Sequence, residues 1–526
     1  MTRVLVAEAI APDGIAYLSS RPGIEVDASS GSDYADLSAR LQSCDALIVR
    51  SATRVTESLL AGAPRLKVIG RAGIGVDNID VDAATERGIV VLNTPDANAT
   101  TTAELTVAHL LSLSRHLPQA DRSVRATEWK RTQFMGTEVA GKTIGIIGFG
   151  AIGRVVASRC LGLKMRVIAY DPLVTHEVML HEGVEAIALQ ELLAQSDYVS
   201  LHCPLNDKTR GLINAERLAR MRIGARLINC ARGGLVDEAA LLEALDKGTL
   251  AGAALDVFEQ EPPLGSPLIE HPKIVLTPHL GASTAEAQIA AGLAIAKQVA
   301  QFLETGEAIN AVNLPRIPAE DLKRLSPYLA LARRLGRVLA VLTSQPVTRV
   351  EVTLRGRAAE LDSRPLSSEL LVGLLESELS IPVNRVNARH LAHRQGISLV
   401  ESRSEETEEY VSLITAAGIY DGGSTSVAGT LIGDRPPRLV RIDDYEVETV
   451  LEGTLLITRH EDRPGVIGAL GTLLGQDNIN ISRMQVGIAQ GPEAIAVIGI
   501  SRPLPQATRD RIAQLLAIHQ VYQVSL

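Results

Sequence analysis

The chain has 526 residues, which is too many for one hydrophobic core and predicts about three or four domains. Its composition, 46% hydrophobic and 21% charged, is typical of a globular protein, and its net charge of −9 argues against a general binder of nucleic acid or anionic membranes. The absence of a signal-peptide pattern, of long apolar runs and of CxxC pairs among the four cysteines predicts a cytoplasmic protein without a disulfide framework or a metal site.

The N-terminal region alternates short apolar runs with segments of helical character. The apolar runs lie at residues 3–7, 46–50, 66–70 and 89–93. Short apolar strands separated by helices predict βαβ units and a parallel sheet. A long helical stretch at residues 101–117 comes next in the chain.

A second series of strands follows that helix. Its predicted members are residues 143–148, 166–171, 198–203, 226–231, 251–258 and 274–279. They again alternate with helical segments, which predicts a second doubly wound region. One further long helix could return to the first region, so the second region would be inserted into the first.

The rest of the chain differs in pattern. Two prolines in residues 313–318 predict a linker, because they block helix continuation. Residues 319–445 contain strand-like and charged stretches without a nucleotide-type turn. Residues 452–526 run strand, loop, helix, strand, and the further strand "AIAVIGI" and a C-terminal helix complete a small α+β unit.

Three glycines in "TIGIIGFGAIGRVV" match G-x-G-x-x-G: Gly148, Gly150 and Gly153. The pattern alone is weak and could be a packing turn, but here it follows a strand and precedes a helix. In this context the first glycine allows a tight turn, the second lets the backbone approach a pyrophosphate, and the third lets the helix pack on the strand. Asp171 ends the next strand, where it would contact ribose hydroxyls and repel a 2′-phosphate. The stretch predicts binding of NAD.

A bound NAD implies hydride transfer, which requires a proton-transfer residue and a cation that polarises a carbonyl. Arg232, Glu261 and His279 each follow a predicted strand. A histidine suits proton transfer near neutral pH, and a carboxylate would fix its tautomer. An arginine can bind a carboxylate with two parallel hydrogen bonds. Each residue alone could be an ordinary structural or surface residue; together they predict a catalytic group.

These residues lie within longer motifs that resemble the D-isomer-specific 2-hydroxyacid dehydrogenases, and most closely the long D-3-phosphoglycerate dehydrogenase type. The motifs are "GRAGIGVDNID", "NTPDANATTTAE", "GKTIGIIGFGAIG", "LHCPLNDKTRGLIN", "NCARGGLVDE", "ALDVFEQEPP" and "TPHLGASTAEAQ". Near the C-terminus, "HEDRPGVIGALGTLLGQDNINI" resembles an ACT regulatory domain. The resemblance spans nearly the whole chain.

The resemblance implies an α/β fold of two doubly wound Rossmann-like domains, with the cofactor domain inserted in the substrate domain, followed by two α+β regulatory domains. The expected boundaries are 1–97 and 281–312 for the substrate-binding domain, 98–280 for the NAD-binding domain, 319–445 for the intervening domain and 452–526 for the ACT domain.

The resemblance also implies roles for individual residues. Arg232 would bind and polarise the substrate carboxylate, His279 would exchange the proton, and Glu261 would support His279. Arg232 and His279 would also contact the cofactor, together with Ala151, Ile152, Cys230, Ala231, Asp256, Gly281 and Ala282. The substrate would also contact Arg50, Ser51 and Gly73, and the candidates for holding its phosphate are Arg50, Arg71, Lys130 and Arg131.

The implied reaction is NAD-dependent oxidation of 3-phosphoglycerate to 3-phosphohydroxypyruvate, the entry step of L-serine synthesis. The resemblance further implies a homo-oligomer, expected to be a tetramer, and an L-serine effector site at paired ACT domains with His460, Asp462 and Asn480. An ACT domain used only for assembly is the alternative. For the whole chain, a hydroxypyruvate, glyoxylate or D-lactate dehydrogenase and an inactive NAD-sensing protein are the other hypotheses.

Overall fold

The computed structural model describes residues 1–28, 34–95, 97–315, 319–343, 345–407, 409–433, 435–489 and 491–526. Within these ranges the strands form four sheets. None of the described helices is both long and apolar enough to cross a bilayer. The described residues also contain no group of three His, Cys, Asp or Glu side chains arranged to hold a metal ion.

The first sheet is parallel and has the strand order β2-β1-β3-β4-β5. Its strands are β1 (Thr2–Val6), β2 (Ile24–Asp27), β3 (Ala46–Val49), β4 (Val68–Arg71) and β5 (Val90–Leu92). The helices between them are α1 (Pro12–Ser19), α2 (Tyr34–Leu41), α3 (Glu57–Ala61) and α4 (Val81–Glu86). All four residues of β3 are buried, as expected of an inner parallel strand covered on both faces.

The second sheet is also parallel, with the order β12-β11-β10-β9-β6-β7-β8. Its strands are β6 (Thr143–Ile147), β7 (Arg166–Tyr170), β8 (Glu185–Ala186), β9 (Tyr198–Leu201), β10 (Ala225–Asn229), β11 (Leu250–Leu255) and β12 (Ile274–Leu276). Its helices are α5 (Ala99–Arg115), α6 (Leu117–Arg125), α7 (Ala151–Gly162), α8 (His176–His181), α9 (Leu189–Gln195), α10 (Ala215–Arg220) and α11 (Glu238–Asp246). The order reverses at β6, and open parallel sheets bind their ligands at the strand ends beside such a reversal.

The chain then returns to the first sheet through α12 (Ala285–Thr305). This helix packs on α1 and β4, and Ile295 and Val299 share a core with residues of β1 and β4. The seven-stranded sheet is therefore inserted between β5 and α12. Residues 316–318, the second half of the predicted linker, lie outside the described residues.

The third sheet is mixed, with the order β14-β13-β15-β16-β17-β18. Its strands are β13 (Arg349–Gly356), β14 (Ser398–Ser404), β15 (Ser412–Tyr420), β16 (Gly423–Thr430), β17 (Arg438–Ile442) and β18 (Tyr445–Val450). The helices are α13 (Ala319–Leu342), α14 (Ser363–Leu375) and α15 (Ala388–Arg394). Residues 319–445 are therefore not only strand-like, because the long helix α13 contributes Leu331 and Leu335 to the core of this region.

The fourth sheet is antiparallel, with the order β20-β21-β19-β22. Its elements are β19 (Thr454–Glu461), α16 (Val466–Gln476), β20 (Ile481–Ile488), β21 (Glu493–Ile500), α17 (Gln506–Ala513) and β22 (Ile518–Ser525). The unit ends in the strand β22, not in the predicted C-terminal helix. The predicted fold class of two parallel α/β regions followed by two smaller α+β regions is confirmed.

Candidate active site

The turn between β6 and α7 carries the three glycines of the dinucleotide motif. Gly148 has φ +97°, and a Cβ there would lie 2.6 Å from the His202 carbonyl carbon. A Cβ at Gly153 would lie 2.2 Å from the Gly148 oxygen, so α7 reaches this close to the strand only with glycine. A Cβ at Gly150 would meet no described atom within 4 Å, so that backbone faces open space.

The start of α7 is suited to a negatively charged group. Gly150 is its N-cap, and no side chain caps the helix. The first amides of α7 can therefore face a phosphate, as in other helix N-terminal anion sites. Ala151 is exposed and Ile152 half-buried in this first turn. The open Gly150 backbone and these amides fit the pyrophosphate of a dinucleotide.

Asp171 directly follows β7, as predicted. One of its oxygens accepts a hydrogen bond from the Phe149 amide at 2.7 Å, and the other accepts one from the Leu173 amide at 2.8 Å. The carboxylate is thus fixed beside the glycine turn. Each oxygen keeps a further lone pair that can accept from a ribose hydroxyl.

His279 and Glu261 form a pair. His279 Nδ1 lies 2.7 Å from Glu261 Oε2, and Glu261 Oε1 accepts from the Phe258 amide at 3.1 Å. Burial acts to raise the pKa of the Glu261 carboxyl, but the hydrogen bonds from His279 and Phe258 and the charge of Arg232 outweigh it, so the pKa lies below its ordinary value. The pair uses Nδ1 and leaves His279 Nε2 as the ring nitrogen that can exchange a proton with a ligand.

The backbone around His279 is held by the buried Asp256. One Asp256 oxygen accepts from Thr277 Oγ1 at 2.6 Å and from the Leu280 amide at 2.7 Å, and the other accepts from the Gly281 amide at 2.8 Å. The Asp256 carbonyl also accepts from the His279 amide at 2.9 Å. These contacts hold His279 at φ +56°, a conformation that non-glycine residues seldom adopt.

Two residues that sequence reasoning missed support this network. Thr277 gives its hydroxyl proton to Asp256, so the ring nitrogen 3.0 Å away, His109 Nε2, is the donor to Thr277. His109 is 3% exposed, and burial lowers its pKa although Asp256 opposes the shift. The position of Thr277, two residues before His279, is a sequence signal that could have indicated its role. No sequence signal indicates a role for His109.

Arg232 follows β10 and contacts the first α/β region across the cleft. Its Nε donates to Asp77 Oδ2 at 2.8 Å and its Nη1 donates to the Ala231 carbonyl at 2.7 Å. A Cβ at Gly75 would lie 1.7 Å from Arg232 Nη2, so this glycine makes room for the guanidinium. Asp77 was not predicted as a site residue. Cys230, just before this segment, is buried, and burial raises its pKa to about 12.

The predicted substrate residues Arg50 and Gly73 line a cavity of about 340 Å³ between the first sheet and α12. Ala282, a predicted cofactor residue, and Asn98 also line it. Ser51 is exposed beside Arg50. Lys130 and Arg131 lie instead on an exposed segment after α6, where Lys130 pairs with Glu128 at 2.7 Å.

The predicted effector residues lie on or beside the strands of the fourth sheet: His460 is on β19, Asp462 follows β19 and Asn480 precedes β20. His460 is buried, whereas Asp462 and Asn480 are exposed. His460 pairs with Ala494 on β21, and Ile481, which follows Asn480, pairs with Ile500 at the opposite end of that strand. At about 3.3 Å per residue the two ends are roughly 20 Å apart. One copy of the chain therefore does not bring Asn480 to His460 and Asp462.

Comparisons with known proteins identify the family of the chain. Family models match for the D-isomer specific 2-hydroxyacid dehydrogenase NAD binding domain at residues 107–281, the D-3-phosphoglycerate dehydrogenase intervening domain at 324–443 and the ACT domain at 454–517. A D-3-phosphoglycerate dehydrogenase from Bacillus subtilis is 41% identical, with 96% of each chain covered. The protein of that name from Methanocaldococcus jannaschii is 41% identical over 100% of both chains. The chain belongs to the D-3-phosphoglycerate dehydrogenase family.

This membership confirms the resemblance inferred from the motifs. As a member of the family, the chain is an NAD-dependent oxidoreductase with NAD as its cofactor. A solved D-lactate dehydrogenase from Aquifex aeolicus, complexed with NAD and lactic acid, matches with 30% identity and a TM-score of 0.53. That match covers 60% of this chain and 100% of the lactate enzyme, so the shared part is shorter than this chain.

Proposed function

We propose that this chain oxidises 3-phospho-D-glycerate to 3-phosphohydroxypyruvate with NAD, the entry step of L-serine synthesis. Relatives over the full length carry the name of this activity. The observation that carries the proposal is the grouping of three arginines, Arg50, Arg71 and Arg232, at the cleft beside the His279–Glu261 pair.

Arg71 lies close enough to Arg232 and to Arg50 for their positive charges to act on it. Burial lowers the pKa of Arg71, and the positive charges of Arg232 and Arg50 lower it further. Asp77 and Glu8 oppose this shift without cancelling it. Arg71 Nε is buried without a hydrogen-bond partner among the described residues. A largely buried guanidinium beside two other arginines is unfavourable in isolation and is suited to anionic ligand groups.

A carboxylate and a phosphate on one small molecule match this charge. Arg232 donates through Nε to Asp77 and through Nη1 to Ala231, and among the described residues Nη2 has no hydrogen-bond partner and can bind the substrate carboxylate. Arg50 and Arg71, on the first α/β region, would then hold the phosphate. Glycerate and lactate lack the second anionic group and would leave Arg50 and Arg71 without a ligand.

The chemical roles follow from the same positions. Arg232 binds the carboxylate and polarises the adjacent carbon–oxygen bond. His279 takes the hydroxyl proton through Nε2, and Glu261 stabilises the imidazolium that results. NAD, when bound at the Gly148–Gly153 turn and Asp171, supplies the acceptor for the hydride. Ala151, Ile152, Gly281 and Ala282 would line its site.

Formation of NADH from 3-phosphoglycerate, with hydrazine trapping the keto product, tests the proposal. We expect kcat/KM for D-glycerate and D-lactate to be at least about a hundredfold lower, because each loses a charge-assisted contact with arginine. Comparable turnover of either acid would support the other 2-hydroxyacid dehydrogenase hypothesis. No turnover of any hydroxy acid would support the NAD-sensing hypothesis.

We also propose a cytoplasmic homotetramer that L-serine inhibits through the ACT domain. Because His460 and Asp462 lie far from Asn480 in one chain, the effector site would form between two ACT domains, one supplying Asp462 and the other Asn480. Serine titration of the wild-type enzyme and of Asp462→Ala and Asn480→Ala tests this. Both variants should lose inhibition, and inhibition that survives in both would exclude these contacts.

A further inference from the structure

The loop that carries Arg50 and Ser51 is held by a side chain from a neighbouring strand end. Glu8 lies two residues after β1. Its Oε1 accepts from the Arg50 amide at 3.0 Å and from the Thr53 amide at 2.7 Å, and its Oε2 accepts from the Ala52 amide at 3.1 Å. One carboxylate thus satisfies three amides of loop 50–53.

The carbonyl groups of the same loop are held from the other side. Asn78 Nδ2 donates to the Arg50 carbonyl at 2.8 Å and to the Thr53 carbonyl at 2.7 Å. The Arg50 guanidinium itself donates through Nη1 to the Ala9 carbonyl at 3.2 Å, next to Glu8. Backbone and side chain of Arg50 are therefore both oriented by the segment that contains Glu8.

The negative charge of Glu8 bears on whether the residue has a role in substrate binding. The Glu8 carboxylate stabilises the charged form of Arg71 but also repels an anionic substrate bound beside it, so its charge acts on binding in both directions. The hydrogen bonds that Glu8 accepts from three amides fix the conformation of loop 50–53. They favour substrate binding if this is the conformation that the substrate requires. A residue needed merely to fill space beside β1 would not have to be charged.

We propose that Glu8 is a positioning residue for the substrate: it holds loop 50–53 in the conformation in which Arg50 and Ser51 meet the anionic group. This inference rests on the proposed function, which places the substrate at this loop. Glu8 does not itself touch the reacting atoms, and its effect passes through the backbone of residues 50–53.

Steady-state kinetics of Glu8→Ala and Glu8→Gln tests the inference, with Glu25→Ala on β2 as the charge-matched control. Glu8→Ala should raise KM for 3-phosphoglycerate about tenfold with kcat within about twofold of wild type. Glu8→Gln should stay within about threefold of the wild-type KM, because its amide oxygen can still accept from Arg50 and Thr53. An unchanged KM in Glu8→Ala, or a lower KM in both variants as charge repulsion alone predicts, would overturn the inference.

Hydrogen exchange provides a readout independent of the substrate. In the full chain, amides of residues 50–53 should exchange faster in Glu8→Ala than in wild type or Glu25→Ala. Unchanged exchange would refute the claim that Glu8 holds the backbone of residues 50–53. If exchange rises but wild type does not oxidise 3-phosphoglycerate, the proposed function fails and the same KM comparison is made with the hydroxy acid that is turned over.

Discussion

Replacing Glu261 by glutamine tests the His279–Glu261 pair with the smallest change of shape. With its oxygen directed at Nδ1, the amide can still accept a hydrogen bond from His279, but it removes the negative charge that stabilises a protonated ring. The hydrogen bond that lowers the pKa of the Glu261 carboxyl would then no longer favour the proton on the ring. Oxidation requires the neutral imidazole, so the acid limb of its pH profile should move to lower pH. Reduction requires the protonated form, so its alkaline limb should move in the same direction.

The size of this shift follows from the contact. A hydrogen bond to a charged group contributes about 1.5–3 kcal/mol and a neutral one about 0.5–1.5 kcal/mol. The His279 and Glu261 side chains are 49% and 37% exposed, so water screens the pair and the small end of the difference, about 1 kcal/mol, applies. Because one pH unit corresponds to about 1.36 kcal/mol, each limb should move by roughly 0.7 pH unit.

The assay is kcat/KM against pH in both directions for wild type, Glu261→Gln and Glu259→Gln. Glu259 is exposed and stands two residues away, so it controls for the loss of one negative charge. Limbs that stay in place in Glu261→Gln, with unchanged NADH affinity and Tm, would refute the pairing as a determinant of proton transfer. Equal shifts in both variants would assign the effect to general charge.

Three further predictions concern the rest of the site. His279→Ala should lower kcat by about 10²–10⁴-fold and leave the calorimetric Kd of NADH unchanged; a retained rate would remove His279 from proton transfer. Gly153→Ala should raise the Kd of NADH at least about tenfold, because its Cβ would lie 2.2 Å from the Gly148 oxygen, and an unaltered Kd would contradict this. Burial lowers the pKa of His109 in the fold while the unfolded chain protonates near the ordinary value of 6.5, so stability should fall as the pH drops below that value. His109→Gln should therefore lose less Tm than wild type between about pH 7 and pH 5, and equal losses would exclude this contribution.

The sheets of the two α/β regions could be predicted because their strands are short apolar runs bounded by polar turns. Predicted residues 143–148 and 166–171 differ by one residue from β6 and β7. Helix α13 was missed because Pro327 and several arginines interrupt its apolar pattern, which the core of the third sheet nevertheless buries. The last strand, β22, mixes polar and apolar residues without strict alternation, and its pairing with β19 depends on the topology.

The site residues likewise divide into those that sequence motifs predicted and those that only the folded chain reveals. Glu261 and His279 lie 18 residues apart in strong motifs, and their pairing was predicted. Asp77 contacts Arg232 from 155 residues away, so only the folded chain reveals it. His109 likewise reaches Thr277 from another element, across 168 residues.

A crystal structure of the full chain with NAD and 3-phosphoglycerate would test the central claim most directly. The substrate hydroxyl should lie within about 3 Å of His279 Nε2, with the carboxylate on Arg232 and the phosphate between Arg50 and Arg71. A substrate bound with its hydroxyl directed away from His279, or with its phosphate remote from both Arg50 and Arg71, would contradict the account.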